Sequence, residues 1–346
     1  MNLPPLDTAA AALQHRAPRW LPGGQVQTIW PALFARRHDP AVPPRWQRER
    51  WTTPDGDFID VDEQVGAHAE APAATLVLFH GLEGSSRSHY AQAFADWAGR
   101  HGWRCVVPHF RGCSGELNLA PRAYHSGDHA EVGWMLDGVR RRWPARPVVA
   151  VGVSLGGNAL LRWAEEAGAT AAQTVRAVCA VCSPIDLAAS GHAIGRGLNR
   201  WVYTPMFLRT MKPKALAKLA QHPGLFDAER LRRARDLYEF DNVFTAPLHG
   251  FCDTDDYWRR GSAKPRLAEI RVPALVVNPR NDPFVPAHCL PRPGEVGAHV
   301  TLWQPAHGGH VGFAEGGFPG DVRALPRAVM GWMRAALGSD WPSPRR

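Results

Sequence analysis

Three stretches of this 346-residue chain carry residues whose types and order suit nucleophilic acyl transfer. The first is Gly152-Val153-Ser154-Leu155-Gly156, entered from the apolar run Pro147 to Gly152 and left through a helical pattern at Leu160, Leu161 and Trp163. That is the pattern of a nucleophile elbow, a sharp strand-to-helix turn with the serine at its tip. Glycines two before and two after the serine suit it, because strand and helix approach too closely there for a Cβ. Composition alone would supply about 0.1 accidental Gly-x-Ser-x-Gly matches, so the pentapeptide is moderately specific and its context decides.

A serine hydroxyl is a weak nucleophile at neutral pH and needs a histidine to take its proton, with a carboxylate to hold that imidazole in the right tautomer. On an elbow of this kind the chain order is serine, acid, histidine, the acid after the seventh strand and the histidine after the eighth. The loop Pro279-Arg-Asn-Asp282-Pro-Phe-Val-Pro286 offers Asp282, and Pro305-Ala-His307-Gly-Gly-His310-Val-Gly-Phe313 offers His310. Glycines on one side and Val311-Gly312-Phe313 on the other give His310 a tight loop able to deliver a ring to Ser154, leaving His307 in a supporting or surface role. Asp186, in Ser183-Pro-Ile-Asp186, is the rival acid, with capping of the following segment as its other use. A tetrahedral intermediate needs two backbone donors. The amide of Leu155 is one, and the loop His80-Gly81-Leu82-Glu83-Gly84-Ser85 supplies the amide of Leu82 as the other.

Weaker signals resolve to structure. His80 closes a strand before a Gly-rich loop and reads as structural rather than as a free base. His125 and His129 with Asp128 lack a third ligand of metal type, and His222 with Asp227 makes a string too short to carry a motif. Arg111-Gly-Cys113-Ser-Gly-Glu116 is either a turn with a buried salt link or a pocket wall. No motif calls for a metal or cofactor.

The elements that must hold these residues follow from the rhythm of the chain. Residues 1–45 are rich in proline and tryptophan and form an arm packed on the body, with a short helix from Gln25 to Phe34. A hairpin turns at Pro54-Asp55-Gly56-Asp57. From Thr75 onward, short apolar runs alternate with helical patterns, which predicts βαβ units and a mostly parallel sheet. The runs are Thr75 to Phe79, Trp103 to Val107, Val148 to Val153, Val175 to Cys182, Val272 to Asn278 and His299 to Trp303. The helices are Ser88 to His101, Asp128 to Trp143, Leu155 to Ala167 and Ala324 to Leu337. The prediction is therefore an α/β-hydrolase fold with an eight-stranded sheet. Its core spans 46–183 and 271–340, and a helical cap spans 184–270 between strands six and seven, where loops so long are otherwise suspect. Within the cap, Asp227 to Tyr238 reads as one helix capped by Asp227, and Trp201, Tyr203, Met206 and Phe207 are candidate lining for an acyl pocket.

Bulk properties exclude several classes. Hydrophobic residues make up 45% and charged residues 21%, as in ordinary globular proteins. A net charge of +8, almost entirely from arginine, is dispersed and not interleaved with stacking aromatics, which argues against nucleic acid and leaves a general affinity for anionic surfaces. Six cysteines make no disulfide framework; Cys179 and Cys182 are expected on opposite faces of a buried strand. The apolar stretch Thr8 to Leu13 is too short for a signal peptide, and no run reaches the length of a membrane span, so a cytoplasmic protein is expected.

The set His80-Gly-Leu-Glu-Gly-Ser85, Phe110-Arg-Gly-Cys-Ser-Gly-Glu116, Tyr124-His-Ser-Gly127, Gly152 to Asn158, Asn281-Asp-Pro283 and Gly309-His-Val-Gly-Phe313 closely resembles the YheT-like α/β-hydrolases, relatives of eukaryotic abhydrolase lipases and esterases. The likeness extends to Gly23-Gly24-Gln25-Val-Gln-Thr-Ile29, where Gln25 stands in place of a histidine found in many relatives. What the resemblance implies is a serine esterase using Ser154, Asp282 and His310 on an acyl ester or lipid. The rival readings are acyl transfer or thioester cleavage on the same triad, and a non-catalytic lipid-binding protein.

Overall fold

In the computed structural model, residues 13–66, 72–338 and 341 are described. The start of the arm, most of the stretch Thr8 to Leu13, and residues 339 and 340 of the expected core lie outside them. Eight strands form one sheet: β1 (Arg45–Thr52), β2 (Phe58–Val65), β3 (Thr75–Phe79), β4 (Arg104–Pro108), β5 (Val148–Val153), β6 (Val178–Val181), β7 (Ala274–Val277) and β8 (Val300–Trp303). Their order is β1-β2-β4-β3-β5-β6-β7-β8. The pairs β1–β2 and β2–β4 are antiparallel and the rest parallel.

Helices in chain order are α1 (Gly23–Leu33), α2 (His89–Arg100), α3 (His129–Arg142), α4 (Leu155–Ala167), α5 (Ala171–Thr174), α6 (Leu187–Ile194), α7 (Gly197–Gln221), α8 (Ala228–Arg233), α9 (Leu237–Val243), α10 (Thr245–Leu248), α11 (Thr254–Gly261) and α12 (Ala324–Leu337). The parallel strands are apolar throughout because both faces are covered. Strand alternation splits the core in two. Leu76 and Leu78 pack with Phe94 of α2 and Trp332 of α12, while Val77 and Phe79 pack with Leu136 of α3 and Leu160 of α4. Among the described residues no helix is long and apolar enough to cross a membrane.

Three details depart from the sequence pattern. The alternation of β6 stops at Val181, and Cys182 adopts φ 50°, so both thiols enter the same core beside α2 and α12 rather than opposite faces. The helix expected from Asp227 to Tyr238 is two. Asp227 caps α8 as expected, but Asp236 accepts from the Glu239 amide at 2.9 Å and starts α9 afresh. Finally, α7 runs 25 residues through Pro205 and Pro213, and its inner face meets two clusters. Leu208 packs with Leu231, Phe240 and Phe244 inside the cap, and Tyr203 packs with Phe284 and Val285 of the loop after β7.

Candidate active site

Ser154 directly follows β5 with φ 53° and ψ −121°, a conformation that costs a non-glycine residue energy and persists only when its surroundings fix it. Its amide donates to the Val181 carbonyl at 2.8 Å, and its own carbonyl accepts from Gly157 and Asn158 at 3.0 and 3.2 Å. A Cβ on Gly152 would sit 2.5 Å from Gly156 O, and one on Gly156 only 2.6 Å from Phe79 O, so β3, β5 and α4 reach this spacing only with glycine.

His310 Nε2 lies 3.1 Å from Ser154 Oγ, and His310 Nδ1 lies 2.9 and 3.2 Å from the two oxygens of Asp282. The Asp282 carboxylate is fully buried, and its Oδ1 also accepts from the amides of Phe284 and Val285. A carboxylate so held fixes Nδ1 as the protonated nitrogen and leaves Nε2 free to accept from the serine. Serine, acid and histidine thus come together from the turn after β5, the loop after β7 and the loop after β8.

The arm secures those last two loops. Gln27 is buried in α1, and its Oε1 accepts from Asn281 Nδ2 at 2.9 Å and from the Gly308 amide at 3.0 Å. Its Nε2 donates to the Leu21 carbonyl at 2.8 Å. Thr28 Oγ1 accepts from the His310 amide at 2.8 Å, and a Cβ on Gly312 would overlap the Gln27 carbonyl oxygen. The arm helix therefore touches the backbone of the histidine loop directly. Two residues back, Gln25 donates to Asn199 Oδ1 at 2.8 Å and accepts from the Tyr203 hydroxyl at 2.7 Å. Asn199 in turn donates to the Pro283 carbonyl beside Asp282. Gln25 thereby joins arm, cap and acid loop.

The amides of Leu82 and Leu155 find no acceptor among the described residues, Leu155 because it opens α4. Gly81 packs with 3.1 Å between its would-be Cβ and Ser154 Cβ, which sets the Leu82 loop against the elbow. Glu83, at φ 57°, accepts from the Tyr124 hydroxyl at 2.9 Å and pairs with Lys214 of α7 at 2.8 Å. Tyr124 both braces this loop and lines the space beyond it.

That space is a cavity of about 150 Å³ that has Ser154, Leu155 and His310 in its wall and runs under the cap. Phe207, Met211, Leu237, Phe240 and Phe244 give it a mostly apolar lining. Of the four pocket residues expected from sequence, Phe207 alone lines the cavity. Trp201 and Met206 correct the expectation: they lie on the outer face of α7, Trp201 being 78% exposed, because successive helical turns that bury Tyr203 and Phe207 turn 201 and 206 outward. Tyr203 is buried but packs on Phe284, which in turn lies against the His310 ring at 4.3 Å.

The alpha/beta hydrolase fold family matches residues 74–244. A protein of Escherichia coli (strain K12), YheT, whose name provisionally calls it an esterase, is 38% identical over 90% of each chain. The chain belongs to the YheT-like α/β-hydrolases. Human phospholipase ABHD3 is 28% identical, with 92% of this chain and 78% of that one covered. Among solved structures, an esterase of Pyrococcus furiosus, Pf2001, superposes with a TM-score of 0.51 at 15% identity, covering 85% of this chain and 92% of that one. The protein is an esterase- or lipase-type hydrolase.

Several other polar residues of this YheT-like hydrolase have structural partners. Asp186 caps α6 by accepting from the Ala189 amide at 3.0 Å. His80 donates from Nδ1 to the Gly81 carbonyl and accepts at Nε2 from the Phe110 amide, and burial pushes its pKa down to about 3. Arg111 unites both readings given to it: it pairs with Asp55, Asp57 and Glu131 and also borders the cavity. His307 is exposed; Asp128 caps α3, and His222 donates to the Leu119 carbonyl. Ligand atoms of Cys182, Asp282 and His310 lie within 4.8 Å of one another, but the last two are already hydrogen-bonded to each other, and burial holds the Cys182 thiol well above its usual range. The positions that sequence reasoning misses are Gln27, Thr28 and Asn281. Gln27 and Thr28 fall in the Gly23 to Ile29 motif and Asn281 directly precedes Asp282, signals that by themselves imply no role.

Proposed function

We propose that the protein hydrolyses carboxylic esters with medium or longer acyl chains through an acyl-enzyme on Ser154. The observation that carries this is the hydrogen-bonded run Ser154–His310–Asp282 opening into an apolar cavity. Ser154 Oγ attacks the ester carbonyl while His310 Nε2 takes its proton. The Leu82 and Leu155 amides donate to the oxyanion, and His310 then returns the proton to the leaving alcohol. Water deacylates the enzyme by the same route. Asp282 stays ionised and orients the ring. Residues 184–270 act as the cap over the acyl chain, 1–45 as a supporting arm, and 46–183 with 271–340 as the catalytic core.

Phospholipase activity in the name of the human relative agrees with a long-chain substrate. A fluorophosphonate probe is expected to label Ser154, and Ser154→Ala to abolish labelling and hydrolysis across an ester series from acetyl to dodecanoyl. Folded wild type that stays unlabelled refutes the acyl-enzyme; a preference for acetyl refutes the chain-length assignment. Faster transfer to an added alcohol or thiol than to water would assign acyl transfer instead.

A further inference from the structure

Two helices of this protein present apolar residues to solvent. In α1 the polar side is buried, with Gln27 and Thr28 inward, while Val26, Ile29, Leu33 and the adjoining Phe34 face solvent. In α7, Asn199, Tyr203 and Leu208 face inward, and Leu198, Trp201, Val202 and Met206 face out at helical spacing. Single exposed apolar residues are ordinary, but a contiguous set marks an interaction surface. Continuity comes from the junction already described. Gln25 bonds to Asn199 and Tyr203, so Val26 on one helix and Leu198 and Val202 on the other are the chain neighbours of residues in direct contact.

Within the two segments that build this surface the charge has one sign, although Asp236 and Glu239 lie near Arg196 and Arg200, and Lys214 is paired with Glu83. Residues 187–226 contain six arginines and lysines and no aspartate or glutamate; residues 13–38 contain four arginines and again no carboxylate. Arg36, Arg196, Arg200 and Arg209 are exposed and have no carboxylate partner among the described residues. A second copy related by a two-fold axis would bring these unpaired cations against one another. An anionic lipid surface complements both features, its headgroups meeting the arginines and its acyl boundary receiving Trp201 and Leu33.

We propose that the outer faces of α1 and α7 form a docking surface for an anionic phospholipid bilayer. The inner faces of the same two helices hold His310 and line the cavity through Phe207 and Met211. One helix thickness therefore separates the docked surface from the cavity.

The test uses vesicles of phosphatidylcholine alone and of phosphatidylcholine mixed with phosphatidylglycerol, with binding read by co-sedimentation. Ser154→Ala protein is included so that binding is measured apart from catalysis and is unaffected if the esterase assignment fails. Expected is roughly tenfold or greater preference for the anionic vesicles, declining with salt. Leu33→Glu/Leu198→Glu, one residue from each helix, is expected to lower that binding about tenfold or more, with circular dichroism and hydrolysis of a soluble acetyl ester retained. Arg196→Ala/Arg200→Ala should reduce the preference for the anionic mixture. Equal binding to both vesicle types, unaltered binding of the double-glutamate variant, or a wild-type dimer that this variant converts to monomer would each overturn the proposal.

Discussion

Replacing Gln27 by alanine should disable the site without touching any group that meets substrate. Gln27 is 3% exposed and makes three hydrogen bonds, at 2.8, 2.9 and 3.0 Å. Its removal strands the Asn281 amide group, the Gly308 N–H and the Leu21 carbonyl in a buried setting. At roughly 1 kcal/mol for each bond removed, and more where a donor stays unsatisfied, the cost is about 3–5 kcal/mol of stability. The catalytic cost comes from geometry. Asn281 precedes Asp282, and Gly308 lies two residues before His310, so both ends of the acid–histidine pair are freed from their anchor. A displacement of about 1 Å between them should lower kcat on the order of 100-fold. With a soluble acetyl ester, KM is expected to stay within about twofold, because the cavity walls are untouched. Gln27→Glu keeps Oε1 as an acceptor for both loops but sets a buried acceptor oxygen against the Leu21 carbonyl, so it should lose stability through that contact while retaining kcat within about fivefold. Urea unfolding followed by circular dichroism gives the stability change, and steady-state kinetics on folded protein give the split. If Gln27→Ala were less stable while kcat held, or if KM rose with kcat unchanged, α1 would be a structural prop with no part in positioning.

Other outcomes follow from the same geometry. Asp282→Asn should lower kcat by about 10³–10⁴ with little change in KM, because the amide cannot hold Nδ1 in its protonated tautomer; retention of activity would move the acid to Asp186. Phe207→Ala should cut kcat/KM for a dodecanoyl ester about tenfold and leave an acetyl ester within about twofold, because the long chain then buries less apolar surface against the cavity wall. His80, wholly buried with its pKa pushed down to about 3, is neutral in the folded protein. A depressed pKa means its stabilising contribution is complete above the unfolded value near 6.5 and is lost as pH falls toward 3. Between pH 7 and pH 5 the wild type should therefore lose about 2 kcal/mol more than His80→Gln in urea titrations; equal losses would refute the assignment.

The β-strands from Thr75 onward were legible because each is short, apolar on both faces and separated by a helical pattern. That Ser154, Asp282 and His310 would be brought together was legible because the elbow sets a chain order and only a few loops can satisfy it. What was hidden depends on interactions that no local pattern encodes. Gln27 meets Gly308 across 281 positions, and an amide side chain in a proline-rich segment carries no periodic signal. The facing of α7 was equally hidden: Trp201, Tyr203, Met206 and Phe207 are all apolar or aromatic, so hydrophobicity could not say which two turn inward. Pro205 and Pro213 each remove a backbone donor from α7, and the packing of Tyr203 and Leu208 holds the helix through them. At Arg235-Asp236 the periodicity continued, while a capping carboxylate restarted the helix.

The clasp between the arm and the histidine loop bears on how activity arises during folding. Every strand can pair, and the elbow can form, from residues 45 onward, yet the loop bearing His310 is braced by a segment that precedes all of them. Hydrogen bonds spanning more than 250 residues close late, since they must overcome the largest loop entropy. Refolding should then return secondary structure and the burial of Trp332 first and ester turnover afterwards, with a lag set by docking of the arm.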